Sequence, residues 1–118
     1  MLQPATLHAA RAALALVGVG AAEQARALLE LEDRLDRTAA RARRDSWLCQ
    51  AYHLLGDVRV LVNALIDYEA RIWPCLRHLA APPEGSTPLR VALFNICQAA
   101  TDAGAKIPGA RQIRRLVE

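Results

Sequence analysis

Apolar residues recur along this chain at steps of three and four, the period of helices with one buried face, and no stretch alternates strictly as a strand would. The clearest case follows Val58, where Leu61, Val62, Leu65, Ile72, Trp73, Leu76 and Leu79 fall on one helical face. A second pattern, from about Ala21 into the Arg41 to Arg44 region, puts Leu28, Leu31 and Leu35 on one side. On its other side Glu30 with Arg34, and Asp33 with Arg37, take the acid-first i,i+4 spacing that supports an exposed face. A third pattern after Thr87 places Leu89, Leu93, Phe94, Ile96, Cys97 and Ala100 inward.

The punctuation agrees with the periodicity. Thr6 is a candidate cap for a first helix running to about Val17, which Gly18 and Gly20 would end. Asp45 or Ser46 offers a restart, although nothing forbids one helix continuing to Leu55. Gly56 followed by Asp57 reads as a helix end joined to an N-cap, the joint of two antiparallel helices. Pro74 removes an amide and crowds the carbonyl of Ala70; because Leu76 and Leu79 stay in phase, the pattern predicts a kink there. "PPEGS" after Ala81 is loop, and Thr87 with Pro88 forms an N-cap and first helical position. Gly104 ends that helix, and Pro108 starts a short basic one holding Ile113, Leu116 and Val117. The expected fold is all-α: one domain over residues 1–118, a small, mostly antiparallel bundle of five or six helices, one kinked at Pro74.

Composition narrows the core. Apolar residues are 53% of the chain but aromatics only 4%, so Leu, Val, Ile and Ala on closely approaching helices must fill it. The net charge of +3 is modest, with acids interleaved among bases, which is not the footprint of a dedicated nucleic-acid binder. Lys106 is the only lysine; an Arg- and Ala-rich coding bias of a GC-rich bacterial genome accounts for that. Three cysteines, an odd number with no CxxC, fit reduced thiols in the cytosol. The run "ALALVGVGAA" is about half the roughly 20 residues a membrane span needs, so the expected location is cytoplasmic.

Candidate chemistry is sparse. Cys49 with His53, and Cys75 with His78, each share a helical face and together would supply a zinc ligand set, but ordinary packing explains them better. Ser46, His53 and Asp57 lack a nucleophile elbow, the carboxylates from Glu30 to Asp36 have arginine neighbours, and no glycine-rich phosphate loop occurs. The expectation is a protein that is not an enzyme and holds neither cofactor nor metal. Arg34, Arg37, Arg41 and Arg44 form one stripe, and Arg111, Arg114 and Arg115 a second cluster, either of which could meet phosphates. A helix-turn-helix can be drawn through the helix after Thr87, Gly104 and the terminal segment, but its last helix is short for recognition.

Helix-on-helix recognition fits the pattern better, with Trp73 beside the kink as its expected centre. The stretch "EARIWPCLRHLAAPPEGSTPLRVALFNI" resembles the FlaF family of small helical regulators of flagellin synthesis. The matching features are Arg71, Ile72 and Trp73, then Pro82 and Pro88, then Leu89, Arg90 and Leu93. It departs from that family at Glu69 and Pro74, where members favour asparagine and threonine. The resemblance implies a cytoplasmic protein that binds flagellin and helps set its output, capturing a disordered amphipathic segment in an apolar groove. Trp73, Leu76, Leu89, Leu93 and Phe94 are the candidates for that groove, with Arg90 at its rim. The alternatives are a phage- or plasmid-type helical adaptor or inhibitor, and a helix-turn-helix-like regulator.

Overall fold

The computed structural model describes residues 20–118, so the first expected helix, Thr6 to Val17, and the "ALALVGVGAA" run lie outside the described residues, save Gly20, Ala21 and Ala22 at the end of that run. The described residues are all-α, in five helices without a strand. They are α1 (Ala21–Leu55), α2 (Val58–Arg71), α3 (Trp73–Leu76), α4 (Pro88–Asp102) and α5 (Ala110–Val117). Among them no helix is long and apolar enough to cross a membrane. Two compact units are distinguished, one ending at Ala39 and the other spanning Ala40–Glu118.

In the first unit α1 begins with the Gln24 amide donating to the Gly20 carbonyl (2.8 Å), and Glu23 sits in the first turn, where the helix dipole favours an acid. Of the two ion pairs expected on its polar side, Arg37 meets Asp33 at 2.9 Å, whereas Glu30 and Arg34 form none. Thr38 spends its hydroxyl on the Arg34 carbonyl, 2.9 Å away. No restart occurs at Asp45 or Ser46: α1 is continuous to Leu55, because a run free of glycine and proline offers the ladder no interruption.

The second unit holds every buried apolar residue of the described chain. α2 is its hub and packs against α3, α4 and α5. Leu48 and Ala51 of α1, Leu61, Leu65 and Tyr68 of α2, Phe94, Ile96 and Cys97 of α4, and Ile113 of α5 form one core. Leu48, Leu61, Phe94, Ile96 and Ile113 are fully buried. Burying such a side chain contributes roughly 1.5–3 kcal/mol each. α5, only eight residues long, cannot hold a helix in water alone and depends on Ile113 for its place.

The ends of the helices follow the chemistry of their caps. Gly56 closes α1 at φ +74, its amide donating to the Tyr52 carbonyl. Asp57 then caps α2, its Oδ1 accepting from the Arg59 and Val60 amides at 2.7 and 3.2 Å. Thr87 Oγ1 accepts from the Arg90 amide at 3.2 Å, and Pro88 opens α4. After α4, Gly104 at φ +62 completes a Schellman turn: its amide donates to the Thr101 carbonyl and that of Ala105 to the Ala100 carbonyl, each at 3.0 Å. α5 starts two residues beyond Pro108, with Gly109 as its cap.

At Pro74 the ladder breaks. α2 ends at Arg71, and α3 resumes at Trp73 for a single turn, with proline in its first turn where no amide is required. Ile72 keeps right-handed helical angles, φ −104 and ψ −48, so the two pieces stay in phase across the break. Leu79 lies beyond α3, its amide closing a turn on the Leu76 carbonyl at 2.9 Å.

Candidate groove at the proline break

The break places α2 and α3 opposite the loop that leads into α4. Between them lies a groove of about 710 Å³, walled by Tyr68, Ile72, Cys75 and Leu76 on the helical side and by Pro83 to Thr87 on the loop side, with Arg71 and Arg90 at its margins. Positions 68, 72, 75 and 76 share one face at i, i+4, i+7 and i+8, and over the eight steps from 68 to 76 that face runs about 12 Å, slightly more than two turns. The loop wall is held by Ser86, whose hydroxyl and amide both donate to the Pro83 carbonyl, at 2.6 and 3.2 Å. Gln98 Nε2 donates to the Ala80 carbonyl at 3.1 Å and ties the chain leaving α3 to α4.

Of the residues expected in a partner groove, the structure brings Leu76 and Arg90 to this one. Trp73, one position round from Ile72, faces a neighbouring depression of about 520 Å³ with Glu69, Thr101, Lys106 and Ile107. Its indole meets the Phe94 ring edge-on, 5.2 Å between centroids at 74°. Phe94 and Leu93 are core residues, 0% and 4% exposed, and present no surface to a partner. Leu89 is half-buried and packs on the core outside the groove. On the helical wall, Tyr68, Ile72 and Cys75 were missed as site positions, their shared helical face being the signal that could have found them; the loop wall, Pro83 to Thr87, carries no such signal in the sequence.

The arginines divide by environment. Arg37 is committed to Asp33. Arg41 is exposed, but Arg44 is 5% exposed and structural, so its place in an anion-binding stripe is corrected: Nε and Nη2 both meet Asp45 Oδ1 at 3.0 Å, and Nη1 donates to the Lys106 carbonyl at 3.3 Å. A planar guanidinium buried this way ties α1 to the segment before α5. Arg111, Arg114 and Arg115 are exposed around the buried Ile113. The connection from α4 to α5 takes seven residues, 103–109, longer than the roughly three- or four-residue turn of a helix-turn-helix.

Three thiols sit in three settings. Cys75 is exposed in the groove, and Cys49 is half-buried with its Sγ 3.8 Å from the Leu116 carbonyl. Cys97 is buried, and desolvation, helped by the nearby Glu69 charge, pushes its pKa up to about 12. Cys49 and Cys75 thus lie in different surroundings, and His53 and His78 are exposed. Among the described residues no three His, Cys, Asp or Glu side chains gather as metal ligands would. Asp57 is occupied as the α2 cap and, among the described residues, makes no hydrogen bond with Ser46 or His53.

No protein-family model, no curated protein and no solved structure matches this chain.

Proposed function

We propose that this chain is a non-enzymatic, protein-binding regulator or chaperone that captures an amphipathic helical segment of a partner, in the cytoplasm, with flagellin as the first candidate. The observation that carries the reading is the groove at the proline break. It has an apolar helical wall two turns long, an opposing loop wall and basic margins, which are the features a helix laid in a groove uses. The choice of flagellin rests on the resemblance of residues 69–96 to the FlaF family.

The groove carries its own reporter. Cys75 is the exposed thiol of the three, so its alkylation by iodoacetamide, followed by mass spectrometry, measures access to the groove. Purified flagellin at saturating concentration is expected to slow modification of Cys75 at least severalfold and to leave Cys49 unaffected. Leu76→Asp should abolish that protection while the protein stays folded, since Leu76 is only half-buried. Unchanged alkylation in the presence of flagellin would remove flagellin as the partner.

A further inference from the structure

Tyr68 is 3% exposed, yet its hydroxyl has no hydrogen-bond partner among the described residues. No side-chain nitrogen or oxygen of those residues is both buried and unpartnered, so this hydroxyl must reach solvent, and it does so where Tyr68 lines the groove. Arg90 lines the same groove, and its guanidinium forms no ion pair with any described residue, although Glu84 is part of the same wall. Burial, and after it the nearby Cys97, disfavour the ionised form of Tyr68; the Arg90 charge, which favours it, is close enough to act on the same hydroxyl. Arg71, by contrast, is engaged by Asp67 at 3.1 Å. One unpartnered hydroxyl and one unpaired guanidinium therefore lie together in a groove whose helical wall offers Ile72, Cys75 and Leu76.

We infer that the groove reads a carboxylate, an Asp or Glu side chain on the docked amphipathic helix, held by the Tyr68 hydroxyl and the Arg90 guanidinium while the helix's apolar residues cover Ile72, Cys75 and Leu76. The inference rests on the docking reading of the groove and adds the chemistry that selects the partner. A carboxylate offers what these donors need: one negative charge for one arginine, and spare lone pairs for an O–H. A phosphate's second charge would find no further unpaired cation and would face Glu84. The wall of about 12 Å accommodates two successive apolar turns of a helix, which brings an acid on the same face over position 68 or 90.

The test is a phage-displayed library of helical peptides with leucine fixed at i, i+4 and i+7 and a mixture of Asp, Glu, Asn, Gln and Lys at the other positions. It is selected on the full chain, with Cys75 alkylation as the readout of where binders sit. Selected peptides should carry Asp or Glu at one fixed register to the leucines and protect Cys75. Exchanging that acid for its amide should weaken binding about tenfold. Tyr68→Phe and Arg90→Gln should each erase most of that acid-over-amide preference without shifting the melting temperature, since neither side chain bonds within the protein. Binders that protect Cys75 with no acid preference, or a preference that survives Tyr68→Phe, overturn the carboxylate site and leave the docking groove standing. A preference that resides in the peptide's terminal carboxylate and vanishes on amidation overturns the side-chain assignment. Selection of no binders, or only of binders that leave Cys75 open, overturns the docking reading as well.

Discussion

At the residue scale the core thiol sets a pH limit. An unfolded cysteine ionises near its ordinary value of 9.0, whereas Cys97 in the fold holds its proton until about 12. A raised pKa means that the folded state binds the proton more tightly. The stabilisation is therefore complete below pH 9 and is lost as pH climbs from 9 to 12, at up to about 1.4 kcal/mol per pH unit. Tyr68, also raised by burial, acts in the same direction above pH 10. Urea unfolding at pH 8, 9 and 10 should show falling stability, and Cys97→Ala should flatten that slope although it lowers stability at pH 8. Leucine and valine spacing announced most of the core, but it could not divide Trp73 from Ile72. Adjacent residues differ by about 100° around a helix, and which of them met the groove depended on where the opposing loop lay. Tyr68 went unnoticed as a site residue for a related reason: a tyrosine on an apolar face reads as core, and only the missing partner of its hydroxyl marks it as more. Arg44 looked like one more surface base until the Lys106 carbonyl and Asp45 enclosed it.

At the scale of elements, local chemistry decided the boundaries, and these were the most legible part of the sequence. Gly56 with Asp57, Thr87 with Pro88, and Gly104 each sit where their backbone preferences required. Gly104→Ala should cost about 1 kcal/mol, all of it conformational, because a Cβ there meets nothing within 4 Å while φ is +62. Asp57→Ala should cost a similar amount, roughly 1 kcal/mol, through two amides losing their acceptor. Chemical denaturation of the two single variants and the double checks both values and their additivity. Ile113→Ala should be costlier, about 2–5 kcal/mol, since it empties a fully buried site and unpins a helix too short to stand alone. Hydrogen exchange should then show residues 110–117 losing protection before α2 and α4 do. The expected kink was harder to place. Periodicity correctly carried the apolar phase across Pro74, but it could not show that the helix would last only one further turn.

At the scale of the molecule, fold class was legible because every strong pattern had a helical period, and the all-α architecture follows. The distribution of the core was not: the leucines before Ala40 look as amphipathic as those after it, yet the buried apolar residues of the described chain all lie from Ala40 onward. A fragment spanning residues 40–118 should therefore unfold cooperatively and keep the alkaline sensitivity that Cys97 confers; loss of a sigmoidal urea transition would show that the core needs more of the chain. The hub position of α2 carries a kinetic corollary. Its partners run from α3, which follows it directly, to α5 at the far end of the chain, and because the entropy of closing a loop rises only slowly with its length, the cost of bringing them together stays modest. Refolding after a denaturant jump should accordingly finish within milliseconds, and α2 substitutions should slow it most, since a nucleus without the hub has nothing to condense upon.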